Sequence, residues 1–146
     1  MPRPTGTPVG LALARTAKTV GRAFDSTLAA AGGSMPVWLI LLTLKTQNLG
    51  NQRELAKAVG IEGATLTHHL NAMEGDGLVI RRRDPANRRV HQVELTESGE
   101  SLFRRLAGAA TAHDQRLRAG LSDDEISVLT DLLDRMQHNM NPPIAP

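Results

Sequence analysis

The stretch NQRELAKAVGIEGATLTHHLNAMEGDGLVIRRRDPANRRVHQVELT, residues 51–96, holds two short helical patterns followed at once by two strand-like runs rich in arginine. Asn51 is placed to cap the first helix, Leu55, Ala56 and Val59 give it a narrow apolar stripe, and Gly60 suits the residue that ends it. After a turn at Ile61 and Glu62, a second helix over about residues 63–75 carries Leu66, Leu70 and Met73 at i, i+4 and i+7, the spacing of one buried face. The 100° step per residue then turns Ala64, His68 and Asn71 outward, with Thr65, Thr67 and Ala72 on the flanks. Such a face is short and hydrogen-bonding rather than charged. It lets a helix sink into the major groove of DNA and touch base edges. His69 falls nearer the core edge, which assigns it to a phosphate contact or to packing.

Residues 79–83 and 90–95 have strand composition, and Asp84-Pro85-Ala86-Asn87 supplies the turn formers between them. Five arginines and one aspartate lie between Arg81 and Arg89, a local balance of +4 against +2 for the whole chain, so the rest of the molecule nets −2. A basic hairpin directly behind two helices with an uncharged outer face reads as a wing, its arginines suited to a narrow, electronegative minor groove. The bland alternative, a solvated basic turn, does not account for that neighbouring face.

These residues resemble the winged helix-turn-helix of the MarR family of bacterial transcriptional regulators, including the Leu-Thr-x-x-Gly run at Leu95, Thr96 and Gly99. The resemblance implies that Thr65, Thr67 and His68 meet bases and phosphates and that Arg88 and Arg89 enter the minor groove; the outward helix face and the basic hairpin add Gly63, Ala64, His69, Asn71, Arg82, Arg83 and Asn87 to the expected DNA-binding surface. Two positions depart from the family's pattern. His68 stands where Arg is frequent, and a bidentate Arg to guanine is the commonest specific contact, so base preference should differ. Asn87 stands where Asp is common, and it accepts a hydrogen bond without charge assistance, which leaves Asp84 as the candidate support for the wing.

The flanks fit the same plan. Residues 1–8 read as a flexible arm with no apolar core of a signal peptide, and residues 9–33 as a helix with Leu13, Ala17, Val20, Phe24 and Leu28 at three- and four-residue spacing. Its apolar surface is broader than one small core needs, which suggests a contact with a second subunit. Ser34 and Pro36 open MPVWLILLTLK, apolar all round, which should be central, and too short for the roughly 20 residues a bilayer requires. Thr96 should cap a helix reaching about Ala119. Ser122 and Glu125 form a capping-box pattern ahead of a last helix bearing Ile126, Leu129, Leu132, Leu133, Met136 and Met140, stopped at Asn141-Pro142-Pro143.

The expected architecture is therefore mainly α with a small β-hairpin. An N-terminal dimerisation helix (9–33) precedes a winged helix-turn-helix lobe (34–98, with its recognition helix at about 63–75 and its wing at about 79–95). C-terminal dimerisation helices (99–141) and a tail (142–146) follow. A homodimer of that kind places two recognition helices in successive major grooves about 34 Å apart, on a pseudo-palindromic site. The family resemblance implies a cytoplasmic regulator, a repressor in the leading reading, whose small-molecule effector would bind between the dimer helices and the winged lobe, with Phe24, Trp38 and Phe103 as candidate lining. The sequence names no effector.

Other classes fare worse. No cysteine is present, which removes disulfides, thiolate metal sites and thiol-based peroxide sensing. No HExxH, GxSxG, P-loop or dinucleotide fingerprint occurs, so no catalytic residue and no cofactor are expected. Adjacent His68 and His69 point about 100° apart on a helix and do not share an ion readily. A DNA-binding metal sensor using His113 and Asp114, and a ligand-independent regulator, remain as alternatives. An RNA-binding module would need stacking aromatics, and residues 51–96 contain no Phe, Tyr or Trp.

Overall fold

A computed structural model describes residues 5–47, 51–87 and 91–141, with the side chain of His91 outside the description. Six helices and one antiparallel hairpin follow in the order α1 (Val9–Ala30), α2 (Met35–Thr46), α3 (Gln52–Val59), α4 (Gly63–Gly75), β1 (Val79–Arg83), β2 (His91–Leu95), α5 (Glu97–Leu117) and α6 (Asp123–Met140). The chain divides into two compact units, residues 1–111 and 112–146, with the break inside α5.

In the first unit the core is aliphatic. Leu28, Ile40, Leu41, Leu55, Leu66, Leu70, Met73, Val79, Leu102 and Leu106 are buried, joined by Trp38 and Ala56. Helix α2 lies at its centre and touches α1, α3, α4 and β2, which is why its sequence is apolar on every side. Its start is set locally: the Ser34 side chain accepts from the Val37 amide at 3.4 Å, and a proline stands in the first turn, where no amide is needed. Between α1 and α2 the axis bends by 76° at Gly32, whose φ of 94° suits glycine. No single helix among the described residues is long and apolar enough to cross a membrane.

Helix α1 is buried only near its end, at Leu28, while Val9, Leu11 and Leu13 stay exposed. The stripe read from the sequence is thus covered by this chain in its C-terminal half alone. Asn51 caps α3 through its side-chain oxygen, which accepts from the Glu54 amide at 2.9 Å, and Gly60 ends that helix in the left-handed region. Helix α4 ends at Gly75. The Leu78 amide returns to the Met73 carbonyl at 2.9 Å across Gly77, whose φ is also positive, and the chain enters β1 without slack.

The hairpin pairs Val79 with Leu95, Arg81 with Val93 and Arg83 with His91. Strand β2 hands over to α5 at a tight junction. The Thr96 hydroxyl donates to the Gly77 carbonyl and accepts from the Gly99 amide, while the Thr96 amide donates to the Leu78 carbonyl at 3.1 Å. Thr96 therefore joins both ends of the wing to the first turn of α5. The crossing is so close that a Cβ on Gly99 would lie 2.1 Å from the Leu78 carbonyl oxygen. Two turns later Leu106 occupies the space that a Cβ on Gly33 would need, its methyl carbons 2.7 Å from that position.

In the second unit, α6 begins with a complete capping box. The Ser122 side chain accepts from the Glu125 amide at 3.1 Å, and the Glu125 carboxylate accepts from the Ser122 amide at 3.0 Å. The backbone hydrogen bond from Ser122, with a further contribution from its side chain, holds the Glu125 carboxyl below the usual carboxylate range. Val128, Leu129, Leu132 and Leu133 of this helix are exposed, and none of its residues is buried in the single chain. The proline stop expected at residues 142–143 lies outside the described residues.

Candidate nucleic-acid interface

Helix α4 presents the face its spacing demanded. Leu66, Leu70 and Met73 are buried, Ala64, Thr65, His68 and Asn71 are exposed, and His69 is half-buried. The His68 and His69 rings meet edge to face with centroids 5.7 Å apart. Among the described residues no group of three His, Asp or Glu side chains is placed to hold a metal ion.

At the amino end of α4, Glu62 occupies the cap position in an extended conformation and makes no side-chain capping bond. First-turn amides left in this way, with the helix dipole behind them, suit an anionic oxygen such as a phosphate. Gln52, Arg53, Ala56, Gly63 and Thr67 line a cleft between α3 and α4 at this end. Thr67 is not a free flank residue. Its hydroxyl accepts from Gln52 Nε2 at 2.8 Å and donates to the Gly63 carbonyl at 3.0 Å, so it ties the two helices of the motif together. Arg53, exposed in the first turn of α3, joins the candidate surface although the sequence reading passed over it. Its signal was available: in this motif the first helix crosses the nucleic-acid backbone, so a cation in its opening turn merits notice.

At the other end, the arginine count is not the outward charge. Alternation along β1 buries Val79, exposes Ile80 and Arg82, and turns Arg81 back against α4. Arg81 pairs with Glu74 at 3.1 Å and also donates to Asn71 Oδ1 at 2.5 Å. Asn71, expected to face bases, thus has its carbonyl oxygen committed to the protein. Arg82 pairs diagonally with Glu94 at 3.3 Å, both side chains more than half exposed, a pair worth at most about 1 kcal/mol in water. Arg83 is exposed and makes no ion pair among the described residues.

Asp84 supports the wing through the backbone: its Oδ1 accepts from the Ala86 amide at 2.9 Å, and its carbonyl accepts from the Asn87 amide at 3.2 Å. It shapes the turn, the role short acidic side chains commonly fill there. The exposed Asn87 side chain follows; Arg88 and Arg89 lie outside the described residues.

Of the three residues named for an effector pocket, Trp38 and Phe103 stack on each other, ring centroids 5.8 Å apart and planes 14° from parallel. Lys45 Nζ stands 5.7 Å from the Phe103 centroid and pairs with Glu100 at 2.9 Å. Phe24, half-buried, packs on the same core cluster.

The sequence model of the MarR family matches residues 34–91, from the cap of α2 into the second strand of the wing. A structure of the transcriptional repressor CouR bound to a 23-mer DNA duplex is 31% identical, covers 89% of this chain and 92% of its own, and superposes with a TM-score of 0.79. The chain belongs to the MarR family. It is therefore a transcriptional regulator and not an enzyme, and its six helices and hairpin are the family's winged fold. Among other MarR-like structures, CouR from Rhodococcus jostii bound to p-coumaroyl-CoA is 26% identical over 94% of this chain and 95% of that one, with a TM-score of 0.72. BpsR from Bordetella bronchiseptica, whose DNA binding is regulated by 6-hydroxynicotinic acid, is 25% identical over 94% of this chain and 98% of that one, with a TM-score of 0.78.

Proposed function

We propose that this MarR-family regulator acts in the bacterial cytoplasm as a homodimeric repressor. It binds a pseudo-palindromic operator through α4 in the major groove and the hairpin in the minor groove, and a small-molecule effector releases it. The observation that carries this reading is the exposed row Ala64, Thr65 and His68 on α4, flanked at one end by uncapped first-turn amides and Arg53 and at the other by the wing with exposed Arg83. Short side chains read base edges while the cationic ends engage phosphates, the division of labour expected of a sequence-specific site.

The dimer is supported by apolar side chains that the single chain leaves in solvent, Val9, Leu11 and Leu13 on α1 and Val128, Leu129, Leu132 and Leu133 on α6. Effector control is supported by the complex of CouR with p-coumaroyl-CoA and by the regulation of BpsR's DNA binding by 6-hydroxynicotinic acid. Phe24, Trp38 and Phe103 are the residues proposed to meet the effector; such a ligand acts only by binding one of two states more tightly than the other. Nothing observed favours the metal-sensing alternative.

Footprinting on upstream DNA, with and without aromatic acids and their thioesters, tests operator, symmetry and effector together. On the protected site His68→Ala should weaken binding about 5- to 100-fold and relax base preference, and Arg83→Ala should lower the salt slope by about 1. Folded variants that bind as tightly as the wild type would overturn the readout surface. Truncation after Ala119 removes α6 and should yield monomer by sedimentation; a stable dimer would reject the interface.

A further inference from the structure

Among the described arginines of the wing, the most enclosed is directed at the protein. The Arg81 side chain is 19% exposed. Its Nη2 donates to Asn71 Oδ1 at 2.5 Å and to Glu74 Oε1 at 3.1 Å, its Nε donates to Glu74 Oε2 at 3.4 Å, and its backbone amide donates to the same Oε2 at 3.1 Å. One carboxylate from the last turns of α4 thus holds both the side chain and the main chain of β1, and Asn71, one turn earlier on the same helix face, holds the guanidinium as well. The amide bond also satisfies a donor on the outer edge of a two-stranded sheet, which would otherwise face solvent.

We propose that Arg81 is a positioning residue: with Glu74 and Asn71 it fixes the angle between the recognition helix and the wing, and it closes the reading face of α4 beyond His68. This rests on the DNA-binding reading above. Only Asp76, Gly77 and Leu78 link α4 to β1 in sequence, so the clamp spans the one joint at which helix and hairpin could hinge. Asn71 continues the row that begins at Ala64 and His68, and Arg81 takes up its side-chain acceptor. The first two turns of α4 are left to address bases.

The clamp and simple charge counting predict opposite signs. Glu74→Gln removes a negative charge from the DNA-facing side, which by electrostatics alone tightens binding. If Glu74 serves to hold Arg81, the same variant loosens the joint and weakens binding.

The test is fluorescence anisotropy on a labelled duplex carrying the footprinted upstream site, titrated at several salt concentrations with wild type, Glu74→Gln, Arg81→Gln, the double variant and Glu94→Gln. Glu94 pairs with the exposed Arg82 and serves as the charge control. Glu74→Gln and Arg81→Gln are each expected to weaken binding about tenfold with an unchanged salt slope, the double variant to be no worse than either single one, and Glu94→Gln to bind as tightly or more tightly. In the free protein, Glu74→Gln should also speed hydrogen exchange of the Arg81 amide, a readout independent of DNA.

Tighter binding by Glu74→Gln, or a salt slope lowered by about 1 in Arg81→Gln, would overturn the inference, the latter by showing a phosphate contact. So would an Arg81 amide whose exchange is unmoved. Wild-type protein that binds no upstream duplex would overturn the DNA reading itself, and this inference with it.

Discussion

Replacing Gly99 with alanine puts the junction between wing and α5 to a quantitative test. A Cβ at this position would lie 2.1 Å from the Leu78 carbonyl oxygen, 3.1 Å from its carbon and 3.1 Å from Leu95 Cδ2. Ordinary carbon-to-carbonyl contacts need about 3.3 Å, so helix and strand entry must part by roughly 1 Å. The carbonyl cannot swing aside freely, because it accepts from the Thr96 amide at 3.1 Å. Overpacking of this kind costs about 1–3 kcal/mol, and weakening the Thr96 hydrogen bond adds about 1 kcal/mol. Against this stands the gain of up to about 1 kcal/mol from replacing a glycine inside a helix. The balance is a loss of about 2 kcal/mol, or a fall in Tm of roughly 6–10 °C for a chain of this size.

Urea unfolding followed by far-UV circular dichroism, at one fixed protein concentration, measures it. The matched control is Gly108→Ala on the same helix, where an added Cβ meets nothing within 4 Å and only the propensity gain of up to about 1 kcal/mol should appear. If both variants shift alike, or if Gly99→Ala is as stable as the wild type, the close crossing is not what fixes this junction.

Thr67→Val should lower unfolding free energy by about 1 kcal/mol by removing the Gln52 bond, Gln52→Ala should lose a similar amount, and the pair together little more. Fully additive losses in the same urea assay would show that the two side chains do not act through one contact. Because Glu125 titrates below its ordinary range when folded, its contribution to stability is complete above the unfolded pKa and is lost as pH falls through the lowered folded value. Carboxyl-carbon NMR should find that lowered pKa, with Ser122→Ala moving it part of the way back. An unmoved titration in Ser122→Ala would show that the Ser122 side chain contributes nothing to the shift.

What the sequence disclosed followed from periodicity. Leu66, Leu70 and Met73 could be buried together only by turning Ala64 and His68 outward, and Ser34, Asn51, Gly60 and Ser122 stand at the helix ends they suggested, because capping depends on neighbours a few residues away. What stayed hidden depends on partners far along the chain. Counting arginines treated Arg81 as equivalent to Arg82, whereas the two-residue period of a strand places Arg81 on the side of Val79 and Val93. No local pattern announced the bond between Gln52 and Thr67, fifteen residues apart. The effector region was the least legible, since a Trp38 that stacks on Phe103 in the core has the same sequence signature as one that lines a cavity.

Gly99 and Leu106 lie seven residues apart on α5, about 10 Å along its axis, and each is seated without clearance, the first against Leu78 and the second against Gly33. A rod held in one bearing can swing; a rod held in two keeps only rotation about its own length. The first half of α5 is thus aligned like a shaft between the wing's entry on one side and the α1–α2 bend on the other. To re-aim the wing through α5, a signal has to lift the shaft from one bearing or roll it in both.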